Sequence, residues 1–165
     1  MGIIKKQIDL AKMFTLKNFL VALILVIGVI VCYILRMNAV NSHIPQIESN
    51  LKNSAFTYYS KTNGGDVLSD SIWEFSSNGT AKNTRTPHYK SKYGSQYDEP
   101  RVSGPFEYSI RGTVFGKYEI SFYYLDTDQY HNKGDFYGKH ILVVNSDYEV
   151  TSLDGTGTID YHRLK

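Results

Sequence analysis

The sequence predicts a mostly β domain of the α+β class, carried behind one N-terminal transmembrane helix. Three observations lead there. Residues Phe19 to Leu35 are seventeen in a row without a charge. A short stretch after Asn41 has apolar residues at helical spacing. From about Asp66 onward, brief alternating runs are separated by Gly, Asn and Asp. The expected division is a basic cytoplasmic tail at 1–18, an anchor at 19–36, a linker with an amphipathic helix at 37–65 and a β-domain at 66–165. About 125 residues remain outside the apolar segment and its flanks, enough for one core.

As a helix, Phe19–Leu35 is about 25 Å long at about 1.5 Å per residue, and Phe14 to Leu16 extend it toward a ~30 Å hydrocarbon layer. The segment is apolar all round, whereas a core helix keeps a polar face. Lys5, Lys6, Lys12 and Lys17 precede it and Arg36 follows, so the positive-inside rule expects the N-terminus in the cytoplasm and the C-terminal domain outside the cell membrane. The competing reading is a cleaved signal peptide; against it, the run exceeds a usual apolar signal region and Met37 stands where a small residue would precede Ala39. Phe14-Thr15-Leu16 also resembles the start of a type IV pilin or competence pseudopilin, but Met13 replaces that family's Gly and Asn18 its Glu.

The formal charge of +2 belongs to the anchor. From Met37 on there are 13 Lys and Arg against 15 Asp and Glu, which excludes a broadly basic nucleic-acid groove. The single cysteine, Cys32, lies in the apolar run, so the domain has no internal disulfide and must be held by packing. Thirteen Tyr after Met37, with Trp73 and several Phe, provide the material. Richness in Lys, Asn, Ile and Tyr fits an AT-rich bacterial genome.

Asn41-Ser42-His43-Ile44-Pro45 reads as a helix start, with Pro at an early helical position. Ile44, Ile47, Leu51, Ala55 and Tyr58 then form one apolar face, giving a helix to about Tyr59. About seven antiparallel strands follow: Ile72–Ser76, Thr80–Arg85 across an Asn78-Gly79 hairpin, Phe106–Arg111, Tyr118–Tyr124, His140–Asn145, Tyr148–Leu153 and Thr158–Leu164. Both a closed barrel and one helix packed on a curved sheet satisfy this order.

Trp73-x-Phe75-x3-Gly79-Thr80, Tyr108-x-Ile110-x-Gly112, the Asp154-Gly155-Thr156 turn and Tyr161-x-Arg163 resemble small bacterial lipocalin-like extracytoplasmic domains, over roughly Ser69 to Lys165. The resemblance implies a barrel in which Trp73 and Arg163 form a structural pair at the base, as a cation–π contact. Ser71 departs from it, standing where the family has Gly.

The longest stretch without a strand pattern, Lys82 to Arg101, offers a binding loop. Arg85, His88, Tyr89, Lys90, Tyr93 and Tyr97 interleave cations with aromatic rings, which suits a sugar or an anionic envelope polymer. Asp126, Asp128, His131, Asp135 and His140 suggest a metal, but an EF-hand starting at Asp126 needs ligands and a Gly that Tyr130, His131 and Tyr137 do not supply; no metal or cofactor is expected. Nucleophile-elbow, zincin and phosphate-loop motifs are lacking, as is a cysteine nucleophile outside the bilayer. The expectation is therefore a membrane-anchored extracytoplasmic binding or accessory domain for a protein partner or envelope component. Alternatives are a lipocalin-like carrier or sensor of a small apolar ligand, an envelope hydrolase with a site built from distant residues, and a pseudopilin-like component.

Overall fold

The computed structural model describes residues 2–61, 67–87, 99–154 and 160–164. The chain forms two compact units, Met1–Ala39 and Val40–Lys165.

The first unit is the body of helix α1 (Gly2–Asn41). By length and composition it is the one helix among the described residues able to cross a membrane, and none of its apolar window is buried in protein. Phe19, Ile24, Val29 and Leu35 are all exposed. A soluble core helix would hide such residues.

The second unit opens with helix α2 (Ile44–Leu51) and continues through eight strands: β1 (Ala55–Lys61), β2 (Val67–Phe75), β3 (Thr80–Pro87), β4 (Arg101–Gly112), β5 (Tyr118–Tyr124), β6 (Phe136–Val144), β7 (Val150–Asp154) and β8 (Asp160–Arg163). Each strand pairs antiparallel with the next, and the sheet closes as a barrel through Phe56↔Arg163 and Thr57↔His162. Closure removes both sheet edges, so the open helix-on-curved-sheet alternative is not what forms.

The eighth strand is β1, in the segment expected to continue the helix. Helix α2 stops at Leu51 rather than Tyr59, because Asn53 takes a positive φ of 60° and the run Phe56-Thr57-Tyr58-Tyr59 favours extended backbone. The β2–β3 hairpin forms at the expected place. Only Gly79 adopts the left-handed region there, at φ 83°; Asn78 instead accepts hydrogen bonds from the Thr80 N–H and hydroxyl, at 3.2 and 2.8 Å.

Inside the barrel, Trp73 stacks on Phe122 at 4.1 Å, with Phe106 at 5.8 Å and Phe75 at 6.5 Å from its ring. Phe56, Ile120, Val150 and Leu153 extend this core toward α2, whose Ile47 and Leu51 are fully buried. Helix α2 thus caps one barrel end. It is pinned there by Gln46 Nε2 donating to the Asp147 carbonyl at 3.0 Å, Asn50 Nδ2 donating to the Tyr148 carbonyl at 3.2 Å, and the His43 ring stacked on Tyr148 at 3.9 Å.

The chain enters the domain at the same end. Asn41 Oδ1 accepts the Gly112 N–H at 3.1 Å, and Tyr118 Oη donates to the Val40 carbonyl at 3.2 Å. A Cβ at position 112 would run into the side chains of Val40 and Asn41, so glycine is what lets this entry segment lie against β4. On the outer wall, Glu119 sits between Arg111 at 2.6 Å and Lys139 at 3.8 Å, giving strands apolar inside and polar outside.

Leu51→Ala is expected to destabilise the domain by about 2–5 kcal/mol through loss of burial and a residual cavity. Phe115→Ser, on an exposed turn, should change stability by no more than about 0.5 kcal/mol. Denaturant unfolding of the full-length protein in detergent micelles checks both.

Candidate functional site

The barrel interior changes character along its axis. On β2 the inward positions run Phe75, Trp73, Ser71, Ser69, and on β3 they run Ala81, Asn83, Arg85. Both sequences pass from apolar at the α2 end to polar at the other. Strand register aligns these changes: Phe56, Trp73, Asn83 and Ser103 pair successively across β1 to β4, and above them so do Tyr58, Ser71, Arg85 and Arg101. The lower row ends the core. The upper row lines a cup.

That cup has a volume of about 430 Å³ and is lined by Tyr58, Ser69, Ser71, Asn83, Arg85, Arg101, Ser103, Tyr137 and Tyr161, within the range of small-molecule sites. Its floor is a hydrogen-bonded network. Asn83 Nδ2 donates to Ser71 Oγ at 2.9 Å and to the Ile72 carbonyl at 3.3 Å, and Ser71 Oγ lies 3.2 Å from Tyr161 Oη. Ser71 and Asn83 are buried, and this pairing is what offsets their desolvation. Tyr58 packs against Tyr161 at 5.8 Å. Arg85 and Arg101, directly opposed across β3 and β4, bring two guanidinium groups to the wall.

Below the floor, His140 meets Trp73 and Tyr161 edge-on at 5.7 and 5.4 Å. Its Nδ1 and the Trp73 Nε1 are buried without a hydrogen-bond partner among the described residues. Burial holds the imidazole pKa below its ordinary value, only partly opposed by the carboxylate and backbone of Asp154.

Of the binding residues expected from sequence, Arg85 lines the cup. His88, Tyr89, Lys90, Tyr93 and Tyr97 fall outside the described residues; the strand ends flanking their segment, Pro87 and Arg101, are at the cup end of the barrel. Trp73 and Arg163 share one row of the sheet with Phe56 between them. Rather than meeting the indole, the Arg163 guanidinium donates to the Val150 and Asn50 carbonyls at 3.4 and 3.3 Å, tying β8 to β7 and α2.

The acidic loop after β5 is organised by its own backbone. Asp128 Oδ1 accepts the N–H groups of Tyr130 and His131, both at 2.7 Å, and Asp135 Oδ2 accepts that of Asn132 at 2.8 Å. Those backbone bonds hold the Asp128 pKa below the usual carboxylate value. His131 stacks on Tyr124, while His140 lies apart in the barrel interior. Among the described residues no group of three or more His, Cys, Asp or Glu is placed to hold a metal.

Sequence reasoning missed Ser71, Asn83, Ser103, Tyr137 and Tyr161 as site residues. The signal was the alternation itself: an inward face turning from Trp73 to Ser71 to Ser69 marks the depth at which core gives way to cavity. Comparison with protein-family models, curated proteins and solved structures gives no match.

Because His140 is more readily protonated in the unfolded chain, the unfolded state binds more protons as pH falls through the ordinary imidazole range, and stability drops with it. Unfolding measured at pH 7.5 and 5 should show this loss. The loss should be smaller in His140→Gln; an equal loss in both proteins would contradict the assignment.

Proposed function

We propose that this chain is a membrane-tethered extracytoplasmic binding domain whose polar cup is the recognition site for an envelope component. The carrying observation is the polar cup above a filled aromatic core. A carrier of apolar ligands needs an empty apolar interior, whereas here Trp73, Phe106 and Phe122 occupy that volume. The described cup wall consists of Ser, Asn, Tyr and Arg, groups that donate and accept hydrogen bonds near neutral pH without an acid–base pair. Such a wall favours holding a ligand over turning it over.

Two further features support the reading. Helix α1 is long and apolar enough to anchor the chain, and the lysines before Phe19 favour a cytoplasmic N-terminus. The chain enters the domain at Val40, at the barrel end opposite the cup. Anchoring also raises the effective concentration of the domain for anything held near the same membrane.

Orientation is tested with Ser77→Cys, at an exposed turn position. In intact cells lacking an outer membrane the introduced thiol should react with an impermeant reagent while Cys32 stays protected; protection of the introduced thiol as well would contradict the outward placement. Recognition is tested with Tyr161→Phe, which removes the hydroxyl beside Ser71 and keeps the ring. Retention of isolated envelope material by the full-length protein in micelles should weaken several-fold, matching about 0.5–1.5 kcal/mol for one hydrogen bond. Unchanged retention would count against the cup.

A further inference from the structure

Resting on the membrane anchor proposed above, we infer that the turn between β4 and β5 is a second lipid contact, with Phe115 seated in the interfacial layer of the same membrane. At the capped end of the barrel, turns join β2 to β3, β4 to β5 and β6 to β7. Ser76-Ser77-Asn78-Gly79 and Asn145-Ser146-Asp147 are built from residues that turns in water favour. The turn from Thr113 to Lys117 is not. Its middle residue is a phenylalanine that is 83% exposed, more than any other large apolar side chain among the described residues.

The turn does not need that ring to form. The Thr113 N–H donates to the Lys117 carbonyl at 2.8 Å, the Gly116 N–H donates to the Thr113 carbonyl at 2.9 Å, and Gly116 takes the positive φ of 75°. A serine at 115 would satisfy the same backbone. Single exposed apolar residues are common on soluble surfaces, so exposure alone decides nothing; position does. Gly112, the last residue of β4, receives the entering chain, its N–H donating to Asn41 Oδ1 at 3.1 Å. The turn begins at the next residue, Thr113.

The path from Leu35, the end of the apolar run, to Val40 is five residues, at most about 18 Å when fully extended. A headgroup layer adds roughly 5–8 Å to each side of the hydrocarbon. The tether therefore keeps this end of the barrel near the interface, where an exposed aromatic ring leaves water favourably. Lys117, exposed on the same turn, suits the phosphate level. Asp147 and Glu149 lie on another turn of the same end, so general attraction to anionic lipid is a poor account of the contact. Its apolar basis predicts persistence in zwitterionic lipid and at high salt. A second contact here also directs the cup, at the other end, away from the bilayer and toward material beyond it.

The experiment reads nitroxide spin labels on the full-length protein in phosphatidylcholine vesicles. It compares relaxation by oxygen, which concentrates in lipid, with relaxation by a water-soluble nickel chelate. Native Cys32 carries one label; Lys117→Cys and Tyr130→Cys, each in a Cys32→Ser background, carry the others. Positions 117 and 130 are both exposed, and Tyr130 belongs to the loop between β5 and β6, at the cup end. Emission from Trp73, the single tryptophan and a core residue, verifies that each variant is folded. The labels at 32 and 117 should favour oxygen, with the ratio at 117 several-fold above that at 130 and unchanged by high salt. Adding Phe115→Ser should bring 117 to the level of 130.

A label at 117 as open to nickel as that at 130, with Cys32 in lipid, would overturn the second contact and leave the anchor standing. Lipid exposure at 117 that survives Phe115→Ser would overturn the role of the ring. Shielding of 117 from both reagents would show a protein surface, such as a second copy, in place of lipid. Lipid exposure at 130 instead of 117 would invert the barrel. Nickel access at Cys32 would overturn the anchor itself and the inference with it.

Discussion

Eight strands that close on themselves enclose a volume that must be filled, and in this domain the filling is organised by Trp73. Its indole lies 4.1 Å from the Phe122 ring and within 6.0 Å of Phe106, Tyr137 and His140. A plug of this size brings β2 into contact with residues from β4, β5 and β6 across the barrel. Each buried aromatic removes roughly 150–250 Å² from water, so a domain with no disulfide of its own has a sufficient source of stability. The two ends of the barrel then differ by what lies above and below the plug. Ile47 and Leu51 complete the apolar layer on one side, and on the other the inward positions turn polar.

That asymmetry connects packing to function. The capped end holds α2 and the entry of the chain at Val40, secured by hydrogen bonds to Gly112 and Tyr118. Among the described residues no helix or entry segment is seated at the opposite end, and the inward residues there line the cup. The rigidity of the floor follows from the same arrangement: Ser71 and Asn83 stand on paired strands directly beside the plug, so their hydrogen bonds are set by the sheet rather than by mobile loops. A site built on strands is held more closely to one geometry than a site built on loops.

Much of this architecture was legible in the sequence because its periodicities are local. Alternation marked β4 and β5, where Tyr108 and Ile110 face Phe122 and Ile120 in register, and the Asn78-Gly79 turn joined the strands flanking it. Strand β1 was not legible, because Ala55 and Tyr58 continue the three-and-four spacing of Ile44, Ile47 and Leu51; the positive φ at Asn53, which breaks that helix, leaves no mark in periodicity. The site was legible only at Arg85 and at Arg101, the far end of the expected binding loop. Its other walls come from six strands, with Tyr58 and Tyr161 more than a hundred residues apart, and only closure of the barrel sets them facing one cavity. A pairwise resemblance likewise linked Trp73 to Arg163, where the sheet inserts Phe56 between them.

On this view the barrel is closed to ligands below Trp73 and open to them above it. Chemical-shift mapping of the labelled full-length protein in micelles, with solubilised fragments of envelope polymer as the added probe, examines both halves of that statement at once. Amide and side-chain signals of Ser71, Asn83, Arg85 and Tyr161 should move together and saturate, while those of Ile47, Leu51 and Val150 stay in place. Shifts centred on the lower core, or spread over the outer face around Glu119, would contradict it.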